Sequence, residues 1–162
     1  MVQTESETRA SGPGRWLALA FFLLIVVVGG GAIGVFNLPG AWYAQLAKPS
    51  FNPPNWIFGP VWTTLYVFIA VAGWRTWVGN RSGLAMKLWW AQLALNWLWS
   101  PVFFSAHMIG AALAVALGML AAIVGFIATS WKTDRLAALL FVPYAAWVSF
   151  ASLLNGAILV LN

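Results

Sequence analysis

The chain has no cysteine, a single histidine, and only three acidic residues among its 162 positions. Without cysteine there is no disulfide and no thiolate metal site, and cysteine usage gives no reading of the compartment's redox state. Charge of either sign is scarce: Asp, Glu, Lys and Arg make up 7% of the chain, against about 25% in an ordinary soluble domain. A soluble monomer of this length could not cover its surface with so few charges. The acids are Glu5, Glu7 and Asp134, all outside the long apolar runs. No carboxylate can therefore relay protons, hold a cation or act as general acid or base within those runs, which argues against an ion-coupled pump. His107 reads as a solvated turn residue. A lone His offers haem iron one weak ligand and makes no metal site, and no Ser–His–acid or Cys–His arrangement can be assembled.

What is present is 62% hydrophobic residues, 12 of them Trp, in runs that charge never interrupts. Trp16 to Phe36, Pro49 to Trp74, Leu88 to Trp131 and Leu136 to Asn162 carry no charge. About 20 residues span a bilayer, so the third run holds two helices with a turn near Ser105–Met108. The expectation is an all-α, membrane-embedded five-helix bundle over 16–162, with spans at 16–36, 56–78, 84–105, 108–130 and 136–161, behind a disordered tail at 1–15. The apolar residues run continuously instead of alternating, which disfavours a barrel. The first run is too long for a cleaved signal segment and lacks a clear small-residue cleavage site.

Lys and Arg set the orientation. With a cytoplasmic N-terminus, Arg9, Arg15, Arg75, Arg81, Lys87, Lys132 and Arg135 lie inside and only Lys48 outside, a strong positive-inside bias. This bias points to a bacterial inner membrane, with an outer membrane left open. Trp16, Trp74, Trp77, Trp89, Trp90 and Trp131 fall at the inner helix ends and read as interfacial belt residues. The basic excess reads as topology and contact with anionic lipid, not as nucleic-acid binding. Gly30 with Gly34, Gly118 with Ala122, and Ala121 with Gly125 are small-residue pairs at helical spacing, suited to close helix packing or to a homodimer contact. Gly29–Gly31 lies inside an apolar helix without a following Lys or Ser/Thr, so it is no phosphate cradle.

The residues that depart from plain packing concentrate toward one end. The connection from Asn37 to Pro54 carries Pro39, Gly40, Pro49, Pro53 and Pro54 and has Trp42, Tyr43, Phe51 and Trp56 in and around it. Prolines lower the entropy lost on ordering and aromatic rings give the loop something to pack, so it reads as a structured lid with Pro49, Phe51, Pro53 and Pro54 as its frame. Trp62 and Tyr66 share one face of the second span; Gln92, Asn96 and Trp99 share one face of the third; Pro143, Trp147, Ala151 and Asn155 share one face of the fifth. Polar groups at such depth must be paired: the stripes serve helix–helix hydrogen bonding or line an aromatic cavity for a flat apolar ligand. Pro143 and Pro101 each remove a backbone donor and can kink their helices.

Several ordered blocks carry a family resemblance over about residues 16–162. Trp42-Tyr43, Lys48-Pro-Ser-Phe-Asn-Pro-Pro-Asn-Trp56, Gly59-Pro-Val-Trp-Thr-Thr-Leu-Tyr66, Gln92-Leu-Ala-Leu-Asn-Trp97, Pro101-Val-Phe-Phe104, Pro143-Tyr-Ala-Ala-Trp147 and Leu154-Asn155 resemble the tryptophan-rich sensory protein/mitochondrial translocator protein family (TspO/MBR, peripheral benzodiazepine receptor). The resemblance implies five transmembrane helices, a homodimer, and a pocket under the first long loop for porphyrins, sterols and benzodiazepine-type drugs. By position, the implied ligand-binding residues are Trp42, Trp56, Trp62, Tyr66, Asn96, Trp147 and Ala151. No resident cofactor and no metal are expected. Many relatives carry Trp in the lid where this chain has Phe51, which implies a smaller stacking surface. Cholesterol-binding relatives carry a Tyr- and Arg-containing sequence at the end of the fifth helix, where this chain ends Leu154-Asn-Gly-Ala-Ile-Leu-Val-Leu-Asn162.

Three functional readings follow. The first is a sensor or transporter that binds porphyrins or other tetrapyrroles. The second is a light- and oxygen-dependent porphyrin-degrading enzyme in which Trp62 and Trp147, the indoles implicated in relatives, donate electrons to an excited porphyrin, a step that needs no acid–base pair. The third is a regulatory partner of other membrane proteins.

Overall fold

The computed structural model describes residues 13–162, and the described residues form helices and connecting turns. The first rod, α1 (13–36), starts at Pro13, so the part of the expected tail at 1–12 lies outside the described residues while 13–15 are helical. It is not uniform: Pro13–Leu23 and Gly29–Phe36 are α-helical, joined by a π-turn at Leu24–Val28. Three consecutive valines crowd the preceding turn and three glycines follow, a sequence that resists regular α-helical winding. A short helix, α2 (Ala41–Gln45), sits in the lid. The remaining rods are α3 (Phe58–Asn80, led in by a 3₁₀ turn at Asn55–Ile57), α4 (Leu84–Ser100), α5 (Ile109–Ser130) and α6 (Arg135–Leu161).

Four of these runs are long and apolar enough to cross a membrane, at 22 to 27 residues, or about 33 to 40 Å at 1.5 Å per residue. The remaining expected span, the third at 84–105, is α-helical only as far as Ser100 and finishes as a π-turn over Pro101–Ser105. Pro101 has no N–H to give to the preceding turn, and the chain recovers with an Ala106 N–H to Pro101 carbonyl bond of 2.9 Å. The turn to α5 closes at His107, a non-glycine residue at φ 57°, where the expected break at Ser105–Met108 falls.

The rods form a closed ring: α4 packs along α5, α5 along α6, α6 returns to α3, α3 lies on α1, and the end of α1 reaches α4. Large apolar side chains such as Phe21, Leu24, Phe36, Leu117, Val124, Leu139 and Leu153 cover the outside, as expected where lipid is the solvent. The chain is a multi-pass membrane protein.

Packing inside the ring uses small residues against large rings, because lipid supplies no hydrophobic drive between helices. A Cβ on Gly73 would meet the Trp89 ring, and one on Gly30 would meet the Tyr66 ring. A Cβ on Gly29 would come within 2.6 Å of Trp97, whereas one on Gly34 would meet nothing within 4 Å. The close seam on α1 is thus Gly29–Gly30, and Gly34 faces outward. Two of the indoles read as belt residues are interior. Trp89 is fully buried and donates to the Ile69 carbonyl at 2.9 Å. Trp74 is nearly buried and donates to the Arg15 carbonyl at 2.9 Å. Trp16 and Trp131 are exposed.

Opposite the lid, Asp134 caps α6 by accepting from the Ala137 N–H at 3.1 Å and is gripped by Arg75 of α3, Nε to Oδ2 at 2.9 Å and a second guanidinium nitrogen to Oδ1 at 3.0 Å. Around Asn155, the Trp99 indole donates to its Oδ1 at 3.2 Å and its Nδ2 donates to the Ile109 carbonyl at 3.0 Å. One amide ties α4, α5 and α6 together, so the polar end of the fifth-span stripe is spent on packing.

Candidate functional site

The lid is pinned at three places. Lys48 folds back over the Tyr43 ring, 4.5 Å from its centroid, and donates to the carbonyls of Tyr43 at 2.6 Å and Leu46 at 3.0 Å. The Asn162 amide accepts from the Ala47 N–H at 3.0 Å and donates to the Ala47 carbonyl at 3.1 Å, a reciprocal pair that imitates strand pairing. Ser105 donates to Asn37 Oδ1 at 2.5 Å, and Asn37 Nδ2 donates to the Ile33 carbonyl at 2.8 Å, closing the end of α1. Tyr43 itself is buried against Phe103 and Phe104, with centroids 6.1 and 5.4 Å away. Burial raises its phenol pKa above the ordinary 10.0.

Below the lid the stripes of the second and third spans meet at Tyr144 of α6. Trp62 and Tyr66, one turn apart on α3, have ring centroids 5.4 Å apart, and Trp62 lies edge-on to Tyr144 of α6 at 6.2 Å. The Tyr66 hydroxyl reaches toward Asn96 Oδ1 at 3.4 Å, Asn96 Nδ2 donates to the Tyr144 hydroxyl at 3.0 Å, and that hydroxyl donates to Gln92 Oε1 at 3.0 Å. A relay of two phenols and two amides thus crosses from α3 through α4 to α6. Gln92 is fully buried, and its Nε2 has no partner among the described residues.

A second set of rings continues from this cluster to the lid. Trp147 lies 5.7 Å from Phe58 and 5.6 Å from Phe150, and Phe150 is 6.4 Å from Phe51 of the lid. The Trp147 indole nitrogen is buried without a partner among the described residues. Two concavities lie at this end of the molecule. One, of about 420 Å³, is a polar hollow within the lid lined by Pro39, Gly40, Tyr43, Ala44, Lys48, Asn52, Pro53, Pro54 and Asn55. The other, of about 470 Å³, is an apolar groove between α3 and α6 lined by Val61, Thr64, Leu65, Phe68, Pro143, Ala146, Trp147 and Phe150.

Of the residues singled out from the sequence, Trp62, Tyr66 and Asn96 come together directly, and Trp147 joins the neighbouring ring set. Trp42 is elsewhere: it stacks on His107 at 4.1 Å and 15° and lies edge-on to Phe103. Trp56 is 74% exposed. Ala151 is half-buried on α6, one turn beyond Trp147. Phe51 reaches the ring set, while Pro53 and Pro54 line the lid hollow and Pro49 accepts the Asn52 N–H at 3.0 Å in the turn before it. Tyr144 is the member of the cluster that the stripe reading missed. A phenol in an uncharged span must find a polar partner, and that signal was available beside Pro143.

Comparison with known proteins identifies the family. A family model described as the TspO/MBR family matches residues 21–161. The chain is 38% identical over 141 residues to protein CrtK of Rhodobacter capsulatus, covering 82% of this chain and 85% of that protein. It is 37% identical over 149 residues to the translocator protein of Sus scrofa, covering 86% and 87%. It is 39% identical over 129 residues to the tryptophan-rich sensory protein of Cereibacter sphaeroides, covering 80% and 82%. The chain belongs to the TspO/MBR family.

Proposed function

We propose that this protein is a membrane sensor or transporter that binds porphyrins or similar flat, apolar tetrapyrroles in the aromatic cluster beneath its lid, with sterols and benzodiazepine-type drugs as further candidate ligands. Family membership supports the coarser part, a ligand-binding membrane protein. The observation that carries the finer part is the fully buried Gln92 Nε2, a donor left unspent among Trp62, Tyr66 and Tyr144. In a protein interior an unpaired amide donor costs about 1–3 kcal/mol, a cost that a ligand carbonyl or carboxylate would offset. The rings supply stacking faces, and Trp42, Trp56 and Ala151 would serve at the rim. No metal or resident cofactor enters this reading.

The test is a titration of purified protein with protoporphyrin in the dark, following Trp fluorescence. Saturable quenching is expected. Each lost stacking ring costs about 1 kcal/mol, so Trp62→Leu with Trp147→Leu, which removes both rings, should weaken binding by about thirtyfold. Quenching that never saturates, or that the double variant leaves unchanged, refutes the reading.

A second reading has its own observation. Trp62 lies within 5.4 Å of Tyr66 and 6.2 Å of Tyr144, so an indole in the ring cluster can lend an electron to a light-excited porphyrin and take it back as oxygen adds to the macrocycle, which leaves the porphyrin oxidised, the oxygen reduced and the protein unchanged. Loss of the porphyrin absorption band on illumination, dependent on Trp62 and Trp147, selects this photo-oxidative breakdown over simple binding. Assembly as a homodimer and insertion in a bacterial inner membrane with a cytoplasmic N-terminus belong to the same proposal. The open face of Gly34 and the asymmetry of Lys and Arg support them. Cross-linking in native membranes tests the dimer, and single-cysteine accessibility tests the orientation.

A further inference from the structure

Where the charges lie limits what the inner cluster can hold. Among the described residues, Arg15, Arg75, Arg81, Lys87, Lys132 and Arg135 stand at the end away from the lid, and Lys48 is the one cation at the lid end. The inner cluster of Trp62, Tyr66, Gln92, Asn96 and Tyr144 contains none. An amide N–H can bond a carboxylate but cannot balance its charge, and an ionised carboxylate within the hydrocarbon layer is strongly disfavoured. A flat ligand stacked in the cluster must therefore send any carboxylate up to the lid end, where Lys48 or water meets it.

Lys48 is suited to that part. It makes no ion pair: the pair found among the described residues joins Arg75 to Asp134, and no acidic side chain among them lies at the lid end. The ammonium is held instead by the Tyr43 and Leu46 carbonyls at 2.6 and 3.0 Å and by the Tyr43 ring. Carbonyl dipoles and a π face orient the charge without cancelling it. The third contact, to the Ala44 carbonyl, is exposed and long at 3.4 Å, so one N–H can turn to a stronger acceptor. Lys48 and Ala44 both line the polar hollow of about 420 Å³ within the lid. The rest of the wall does not oppose an anion. Asn52 buries its Oδ1 and donates from Nδ2 to the Pro53 carbonyl at 3.1 Å, and the exposed Asn55 adds an amide at the edge. Asn55 opens the turn that leads into α3, seven residues before Trp62, or about 11 Å at 1.5 Å per residue. A tetrapyrrole ring and its propionate arm together cover such a gap.

We propose that the lid hollow is a carboxylate subsite, and that Lys48 makes the protein prefer acidic tetrapyrroles to their neutral esters. The subsite presupposes porphyrin binding in the inner cluster, and it separates ligands with a carboxylate arm from neutral flat molecules that fill the rings equally well.

Protoporphyrin and its dimethyl ester share a macrocycle and differ in charge at the arms. Full-length protein in neutral detergent would be titrated with each in the dark, following Trp fluorescence, after correction for each porphyrin's partition into detergent without protein. The quantity read is the ratio of the ester to the acid dissociation constant, from which a general loosening of the lid cancels. The acid is expected to bind about tenfold more tightly, as one charge-assisted hydrogen bond at a half-buried site would give. Lys48→Met should bring the ratio near one, and Lys48→Arg should keep it. Raising the salt from about 0.05 to about 0.5 M should shrink the ratio in the unaltered protein. Equal binding of acid and ester by the unaltered protein, which depends on no variant folding, would overturn the subsite and leave porphyrin binding standing. A preference that Lys48→Met retains would do the same. Binding of neither porphyrin would overturn both.

Discussion

Replacing Tyr144 by Phe removes one oxygen and keeps the ring, so it isolates the polar relay from the packing around it. The hydroxyl now accepts from Asn96 Nδ2 and donates to Gln92 Oε1, both at 3.0 Å. Its loss leaves a second buried donor and a buried acceptor without partners, next to a Gln92 Nε2 that already lacks one. Orphaning a buried polar group costs about 1–3 kcal/mol in protein interiors, which for two groups gives about 2–6 kcal/mol. Hydrogen bonds between membrane helices measured by double-mutant cycles are worth less, about 0.6 kcal/mol on average, because the separated helices also find partners. Gln92 and Asn96 are buried in the ring and have little freedom to re-pair, so a value near the low end of the first range, about 2 kcal/mol, is the expectation. For a chain of this length that lowers Tm by about 4–8 °C, readable by circular dichroism in detergent. In an Asn96→Leu background the same substitution should cost less, because the donor it orphans is gone. A Tyr144→Phe shift below about 1 °C, or an undiminished shift in the Asn96→Leu background, would show that the hydroxyl does not bridge the two amides.

Other substitutions separate the contacts in the same way. Gly73→Ala sets a methyl against the Trp89 ring and should lower Tm sharply, by an overpacking cost of about 1–3 kcal/mol, whereas Gly34→Ala meets nothing and should leave Tm unchanged. Asp134→Ala should cost more than Arg75→Met: the ion pair is about a third exposed on the Arg side and a quarter on the Asp side and is worth at most about 1 kcal/mol, while the N-cap adds about another. Only the ion-pair part should shrink in high salt, which thermal melts at two ionic strengths would show. Asn162→Ala removes both bonds to Ala47 and should speed hydrogen exchange in the lid without altering exchange in α4. Raised by burial, the Tyr43 phenol stays neutral through its ordinary 10.0, so its contribution to lid docking is complete below pH 10 and is lost as pH rises through the folded value. A phenolate absorbance titration of wild type against Tyr43→Phe would detect this late step, and ionisation at or below 10.0 would contradict the docked lid.

Length and charge were enough to read the helical class, the tight turn at His107 and the approximate span ends, because each depends on hydropathy summed over about 20 residues. The breaks inside spans were less legible. Pro101 announced one, and the π-turn follows from its missing N–H. The Leu24–Val28 turn was not foreseen, since a run of Leu, Ile and Val looks like any apolar span to a hydropathy window. The same limit explains the indoles. Position along the chain put Trp74 and Trp89 in an interfacial belt, but what a tryptophan does depends on the facing helix. The carbonyl of Ile69 and the bare backbone at Gly73 draw Trp89 inside.

The polar residues behave in the same way, and this bears on function. Helical spacing found Gln92, Asn96, Trp147 and Asn155, yet spacing cannot say which polar groups are consumed by packing. Asn155 spends its amide on Trp99 and Ile109 and is a strut. Asn96 spends its amide on the two phenols. Among the described residues Gln92, Trp97 and Trp147 each keep a buried donor unspent. Evolution has no packing reason to leave a donor unpaired in hydrocarbon when Leu or Phe would fill the same space at no desolvation cost. These three unspent donors, more than the number of indoles, are therefore the positions where a ligand acceptor is expected.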